Sequence, residues 1–412
     1  MVTSRTHKSV NKGENYNLMA RKNVYQQRRF RLLFVNSTSE IGGADLDLLQ
    51  ICSNLDRNRF EPIVVLPGPS SIAREFEALG IEVIFMRLGA IKRTVRPIDW
   101  ILFVVYSVSS ILGLIRLSKN RNIDLIHINS IVLPAVAIAS RLAGVRCVWH
   151  IREIVTRPIW LRNILGVLVS LLAHRVVAIS NAIKLMFPKW VARRIVVIHH
   201  GVDLRAFDLA INSSKMRLEL GIPESTFVVG FIGRIAPLKG VEYLIRAVGQ
   251  LSKETPDVCL LIVGPTFQRY RGYAESLAEL VTSLQLEHCA RILPARRDIP
   301  YVLSAIDVLA LPSVHPEGFG LVLIEAMAMG KSVIGTALGG VPEIVDREPP
   351  VGFIVPPRDA NAIAITLSHL ASNRQLGREM GRHARDCVER EFDIRTVIQK
   401  LQKLYLELLE GR

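Results

Sequence analysis

Short runs rich in Val, Ile and Leu recur along this chain, separated by longer stretches in which apolar residues return every three or four positions. The runs suit strands buried on both faces, and the longer stretches suit helices that lay one face against them. In the first half, strands are expected near 31–36, 61–66, 81–85, 123–128, 145–149, 175–179 and 194–198. Helices are expected between them near 44–55, 71–79, 99–118, 132–142, 160–173 and 181–187. The alternation then runs through again, with strands near 226–232, 257–263, 289–293, 307–311, 332–335 and 352–355. Its helices fall near 239–252, 270–285, 298–305, 319–329, 359–371 and 374–390. Repeated β-α units of this kind predict α/β architecture with two doubly wound, Rossmann-like domains facing a central cleft, and ligand at the carboxyl ends of the strands. The polar stretch from Gly201 to Ser214 is the expected linker. The division is then a disordered basic tail over 1–30, domains over 31–205 and 206–390, and a C-terminal helix over 391–412 that can pack back on the N-terminal domain.

Composition agrees with two domains. At about 150 residues per domain, 412 residues allow two or three. With 50% hydrophobic and 22% charged residues, disordered, collagenous and coiled-coil readings fail. Cys52, Cys147, Cys259, Cys289 and Cys387 lie far apart without a C-x-x-C pair, against a disulfide framework or zinc knuckle, so a reducing compartment, the cytosol, fits best. The net charge of +15 is unevenly placed: +7 over residues 1–31, +9 over 32–205 and −1 over 206–412. A basic first half attracts anionic partners, nucleic acid or an acidic lipid surface.

Residues 1–30 lack the apolar segment of a secretory signal. The longest uncharged apolar run, Trp100 to Ile115, has 16 residues, short of the roughly 18–20 that span a bilayer. A second, Ile164 to Ala173, follows the basic and aromatic lead-in Arg157-Pro158-Ile159-Trp160-Leu161-Arg162, suited to a lipid interface. Taken singly, each run reads as a buried helix.

Dinucleotide chemistry is disfavoured, because residues 40–45 read Glu-Ile-Gly-Gly-Ala-Asp where G-x-G-x-x-G is needed. Gly330-Lys331-Ser332 ends like a phosphate loop but follows a helix and has Glu at 325 where glycine is required. Asp45 and Asp47 sit early in a helix, where acids favour the positive end of the dipole, and read as helix-start residues rather than metal ligands. The second half is denser. Gly233-Arg234 ends a strand and Pro237, Lys239 and Gly240 open a helix, which gathers two cations and free amides into an anion site. Residues 315–326 read His-Pro-Glu-Gly-Phe-Gly-Leu-Val-Leu-Ile-Glu-Ala. Gly318 and Gly320 permit close approach to a ligand, and Glu325 lies on an otherwise apolar helix where an unpaired carboxylate needs donors such as a ribose diol. A sugar over the Gly-Phe-Gly turn would serve Glu317.

These segments resemble the retaining nucleotide-sugar glycosyltransferases of family 4, with the two-Rossmann GT-B architecture. The match runs from Gly42-Gly43-Ala44 to about Pro357 and includes His199-His200-Gly201-Val202-Asp203, Leu261-Ile262-Val263-Gly264 and Gly339-Gly340-Val341-Pro342-Glu343. The resemblance implies an acceptor-binding N-terminal domain and a C-terminal domain for the nucleotide-sugar donor, a UDP- or GDP-sugar. Arg234 and Lys239 would hold the diphosphate, Glu325 the ribose, and Glu317 with the amides around Gly318, Phe319 and Gly320 the transferred sugar. Gly42 and Gly43 would admit the phosphates, with Gly233 beside them. His150 matches the active-site histidine, and His127, Asn129 and Arg152 would face the acceptor. No metal and no cofactor is expected beyond the donor substrate. Glu153 is the carboxylate to weigh as base or nucleophile. The expected acceptor is a glycan or lipid-linked molecule in cell-surface polysaccharide or glycolipid synthesis, reached at the cytoplasmic face of the cell membrane through the basic N-terminal half. Nucleic acid is the weaker partner, since no recognition module is present. A phosphorylase and a non-catalytic sugar-binding protein on the same fold are the alternatives.

Overall fold

The computed structural model describes residues 28–38, 42–91 and 96–411, so the tail expected over 1–30 lies, for residues 1–27, outside the described residues. The first sheet is built from Phe30–Val35 (β1), Phe60–Leu66 (β2), Glu82–Phe85 (β3), Leu125–Ile128 (β4), Arg146–Ile151 (β5), Arg175–Ala178 (β6) and Ile195–Val197 (β7), in the order β3-β2-β1-β4-β5-β6-β7. Phe227–Ile232 (β8), Val258–Val263 (β9), Ala290–Leu293 (β10), Val308–Leu311 (β11), Ser332–Thr336 (β12) and Gly352–Val355 (β13) form the second, in the order β10-β9-β8-β11-β12-β13. Every pairing is parallel. Two Rossmann-like domains result, as the strand pattern predicts.

Parallel strands buried on both faces read as continuous apolar runs, and side-chain parity decides which helices they meet. Leu33 and Val35 of β1, with Cys147, Trp149 and Ile151 of β5, join a core beneath helices Pro97–Asn120, Pro134–Ala143 and Ile159–Leu172. Leu32 and Phe34, with Leu125 and Val148, face helices Gly43–Asn54, Ser71–Ala78 and Ile394–Glu410. His127 and His150 share the parity of this second set.

The strand order reverses between β1 and β4 and again between β8 and β11, and such switch points open crevices at the carboxyl ends of the strands. Gly42 and Gly43 follow β1, and Gly233 and Arg234 follow β8, so both glycine segments lead out of switch points. The expected helix near 239–252 begins with a 3-10 turn, Pro237–Lys239, and continues as Val241–Leu251. Gly240 joins them at φ 64, and a Cβ there would lie 2.2 Å from the Pro312 carbonyl oxygen, so only glycine fits. Part of the expected linker is helical (Ser213–Glu219), and the helix expected to reach 390 ends at Cys387, continuing as a π turn, Val388–Phe392.

The chain then returns to the first domain. Val202 N–H donates to the Phe392 carbonyl at 2.8 Å and Ile394 N–H to the Val202 carbonyl at 3.0 Å, which lays the two inter-domain passages side by side. Beyond them, Asp393 caps helix Ile394–Glu410 through the Arg395 N–H. This helix buries Ile394, Val397, Ile398, Leu401, Leu404, Tyr405 and Leu408, a stripe at helical spacing, on the first sheet. Each such side chain contributes about 1.5–3 kcal/mol.

The two apolar runs expected to be buried behave differently. Helix Pro97–Asn120 buries only Ser110, Leu114 and Ser118, while Ile98, Trp100, Ile101, Val104, Val105, Val108 and Leu112 are exposed. Its 24 residues are long and apolar enough to cross a bilayer. It connects β3 to β4 of one sheet, however, and a crossing would put those strands on opposite sides of the membrane. Helix Ile159–Leu172 likewise exposes Ile159, Trp160, Ile164, Val167 and Leu171.

Candidate active site

Arg234 is half-buried, with its guanidinium carbon 5.1 Å from the Phe267 ring centre. A Cβ added to Gly42 would come within 3.7 Å of Arg234 Nη2, so the two switch points meet across the cleft here. The Arg234 side chain makes no hydrogen bond or ion pair among the described residues. Lys239 Nζ donates to Glu317 Oε1 at 2.7 Å, and Ser313 Oγ donates to the same oxygen. Burial opposes the charge of Glu317, but the Lys239 ammonium, helped by the Ser313 hydroxyl, holds its carboxyl below the usual range. Lys239 is therefore a tethered cation and not a free one.

Glu325 lies one turn into helix Leu321–Ala328, on the partly exposed face with Leu321 and Val322. Its carboxylate has no hydrogen bond or ion pair among the described residues, and burial pushes it up to about 7. An unpaired cation and an unpaired carboxylate in one domain are unsatisfied polar groups awaiting partners.

The loop before that helix closes on the first domain. A Cβ on Gly318 would meet the Arg152 carbonyl oxygen at 2.4 Å. The Phe319 ring, 2% exposed, stacks on His199 at 5.2 Å and meets His200 at 5.4 Å and Phe392 at 5.7 Å, so only its backbone is free for a ligand. Gly320, at φ 107, caps the helix. The carboxylate of Glu343 crosses between domains, accepting from Asn181 N–H at 2.8 Å and Ala182 N–H at 2.7 Å. Burial raises and these donors, with His199, more than offset, so its carboxyl sits below the usual range.

Behind the cleft lies a polar network. Arg152, 5% exposed, pairs with Asp47 and donates from Nε to Asn129 Oδ1 at 2.6 Å. Asp47 also holds His200 Nδ1 at 2.7 Å. Burial opposes the Asp47 charge, and Arg152 and His200 outweigh it, so its carboxyl stays well below the usual range. Asn129 donates to Asn36 Oδ1 at 2.9 Å, and Asn36 donates to Asp45 Oδ1 at 2.5 Å. Asp45 Oδ2 in turn accepts the Gly42 N–H at 2.9 Å, which shapes the glycine turn, while burial raises its carboxyl to about 6. His150 Nδ1 lies 3.2 Å from His127 Nε2, and His127 Nδ1 2.7 Å from the Tyr405 hydroxyl.

The site residues expected from sequence thus fall into two groups. Gly42 lies against Arg234, Lys239 pairs with Glu317 and Gly318 abuts the Arg152 carbonyl, while Gly43, Gly233, Phe319 and Gly320 belong to the same segments and Glu325 to the helix that Gly320 opens. His127, Asn129 and Arg152, expected to face an acceptor, are buried together with His150: Arg152 holds Asn129 and His150, and His150 meets His127, so they brace the site from behind. Glu153 accepts from Ser130 Oγ and from Ile131 N–H at 3.1 Å, which ties both its oxygens to a loop. Asp45 serves the helix start as expected, whereas Asp47 neutralises Arg152. Sequence reasoning missed Asn36, Ser313 and Tyr405. Only Ser313, four residues before Glu317, left a local trace.

Two Rossmann-like domains, with cations and carboxylates gathered at the ends of their strands, are the arrangement of the GT-B class. The profile described as Glycosyltransferase Family 4 matches residues 41–206, and that described as Glycosyl transferases group 1 matches residues 212–386. Together the two profiles span most of the chain, which belongs to this family of group 1 and family 4 glycosyltransferases. It is similar to D-inositol 3-phosphate glycosyltransferase of Saccharomonospora viridis, 34% identical over 215 residues, 51% of this chain and 49% of that protein. The corresponding protein of Kineococcus radiotolerans is 38% identical over 154 residues, 36% of this chain and 35% of its own length. The chain therefore matches half or less of these curated relatives. Among solved structures, Anabaena HepE, crystallised with UDP and glucose, superimposes with TM-score 0.78 at 26% identity, covering 92% of this chain and 99% of that one. Sucrose-phosphate synthase of Thermosynechococcus elongatus shares the fold, with TM-score 0.75 at 20% identity, covering 93% and 100%.

Proposed function

We propose that the protein is a retaining hexosyltransferase that moves a sugar from a nucleotide diphosphate sugar, UDP- or GDP-linked, to a glycan or lipid-linked acceptor in cell-surface polysaccharide or glycolipid synthesis. The reading is supported by two groups of one domain that have no hydrogen-bond or ion-pair partner among the described residues, the guanidinium of Arg234 and the carboxylate of Glu325, together with the Lys239–Glu317 pair. One donor molecule satisfies all of them: diphosphate on Arg234 and Lys239, ribose hydroxyls on Glu325, and sugar hydroxyls on Glu317. HepE, solved with UDP-glucose at 26% identity, supports the choice of donor class.

In the proposed step the bond from the anomeric carbon to the leaving phosphate oxygen breaks, and the acceptor oxygen bonds to that carbon on the same face. The acceptor proton passes to the departing phosphate. Arg234 and Lys239 stabilise the charge that develops there, so no metal is required of the mechanism. Glu153, occupied by Ser130 and Ile131, is poorly placed to act as nucleophile.

The exposed apolar faces of helices Pro97–Asn120 and Ile159–Leu172 flank helix Pro134–Ala143 on one side of the basic first domain. With Arg157 and Arg162 beside Trp160, that side suits peripheral attachment to an acidic lipid leaflet, at the cytoplasmic face of the cell membrane.

Thermal-shift screening of nucleoside diphosphates and their sugars identifies the donor, and mass analysis of products separates transfer from phosphorolysis, which would release sugar phosphate without nucleotide. Activity is expected to survive chelator. Absence of stabilisation by every nucleotide tested overturns the reading. Sedimentation with acidic vesicles at low and high salt tests attachment, and failure to bind at low salt refutes it.

A further inference from the structure

We propose that Arg152 and Tyr405 together lock His127 and His150 as Nε2–H tautomers, so that His150 meets the sugar donor by donating a hydrogen bond and not as a base. The role toward the donor rests on the function proposed above; the tautomer lock does not.

The argument begins at the one group whose direction is fixed. A guanidinium carries only N–H groups, so it can only donate. Arg152 Nη2 lies 3.3 Å from His150 Nδ1, which must therefore accept. His127 Nε2 lies 3.2 Å from the same atom and must donate to it. That leaves His127 Nδ1 bare, facing the Tyr405 hydroxyl at 2.7 Å, and Tyr405 must donate. Reversing any one bond sets two lone pairs or two protons against each other, so only one arrangement satisfies all three contacts. Double protonation is closed off as well. Burial first, and then Arg152, lowers His127 to about 3 and pushes His150 well below the ordinary imidazole value.

The ends of the relay are rigid. Arg152 is held by Asp47 and Asn129. Tyr405 is 0% exposed, with Phe34 at 6.5 Å and Phe60 at 6.1 Å in edge-on contact. Tyr405 reaches His127 across 278 positions of sequence, from the helix that returns to the first domain. The product of the relay is a proton on His150 Nε2. That atom is buried and has no partner among the described residues, a condition that costs about 1–3 kcal/mol and is tolerated where a ligand supplies the acceptor. His150 is the penultimate residue of β5, two residues before Arg152, whose carbonyl abuts Gly318 of the sugar-side loop. Arg152 and Tyr405 are thus positioning residues, acting through His127 and His150.

The test is nitrogen NMR on the full chain labelled at histidine nitrogen, without ligand, with His127→Gln used to assign the first ring. Both rings are expected to show a protonated Nε2 and a bare Nδ1, unchanged from pH 6 to pH 8. Tyr405→Phe is expected to shift the His127 Nδ1 resonance and to lower kcat about tenfold while donor KM stays within about twofold. His127→Gln, which keeps an N–H toward His150, should retain more activity than His127→Phe. An Nδ1–H tautomer on either ring, titration of either ring near pH 6.5, or Tyr405→Phe with unaltered ring signals overturns the proposal. If no donor supports sugar transfer, the proposed function fails while the NMR arm still decides the tautomers.

Discussion

Replacing Glu325 with Gln should make the protein more stable and a poorer binder of its donor. Burial without a partner raises the Glu325 carboxyl from 4.5 to about 7, so the folded chain holds this proton more tightly than the unfolded chain. Stability is then lost as pH rises from about 4.5 to 7, and the whole cost is present above 7. At about 1.4 kcal/mol per pKa unit the difference is about 3.5 kcal/mol, and contact with cleft water brings it to about 2–3 kcal/mol. A chain of 412 residues unfolds with roughly 0.9 kcal/mol/K of entropy, so Glu325→Gln should raise Tm by roughly 2–4 °C at pH 8. At pH 4.5 both side chains are neutral and the difference should vanish. Calorimetry at the two pH values measures this directly. Nucleotide affinity should meanwhile fall by about tenfold or more, the worth of a hydrogen bond to a charged group. A Glu325→Gln protein that melts lower than the parent at pH 8 would show that Glu325 is already hydrogen-bonded, and the ribose argument would fail with it.

Arg234→Ala should lower kcat/KM by about 10²-fold or more and leave Tm within about a degree, since no polar contact is lost; a collapse in Tm would reveal a structural role. For Glu343, whose carboxyl is lowered by the donors of Asn181, Ala182 and His199, the stability it brings is present above its unfolded value of about 4.5. That stability disappears as pH falls through the lower folded value, so Glu343→Gln should flatten the acid side of the Tm profile, and an unchanged profile contradicts this. Gly318→Ala puts a carbon 2.4 Å from the Arg152 carbonyl oxygen, so small-angle scattering should detect a wider cleft and assays a lower kcat; wild-type values for both would refute the contact.

The sheets were legible because parallel strands buried on both faces leave unbroken runs such as Phe227–Ile232 and Val258–Val263. The cleft residues were legible because glycine and charge stand together in short segments, Gly233-Arg234 to Gly240 and Glu317 to Glu325. The bracing network was not. Asp47 and Arg152 are 105 positions apart, and nothing in Asp45-Leu46-Asp47 distinguishes a helix-start acid from the partner of a distant guanidinium. Helix Pro97–Asn120 misled for the opposite reason, since an apolar run carries no mark of whether protein or something else will cover it.

The return of the last helix to the first domain bears on how this protein can be taken apart. A fragment ending near residue 205 would expose the apolar floor on which Leu401, Leu404 and Tyr405 rest, and would lack the tyrosine hydroxyl beneath His127. Dissection of the gene should therefore graft residues 392–411 onto the N-terminal fragment, and an affinity tag belongs away from the C-terminal end, where it would burden the opposite half of the molecule.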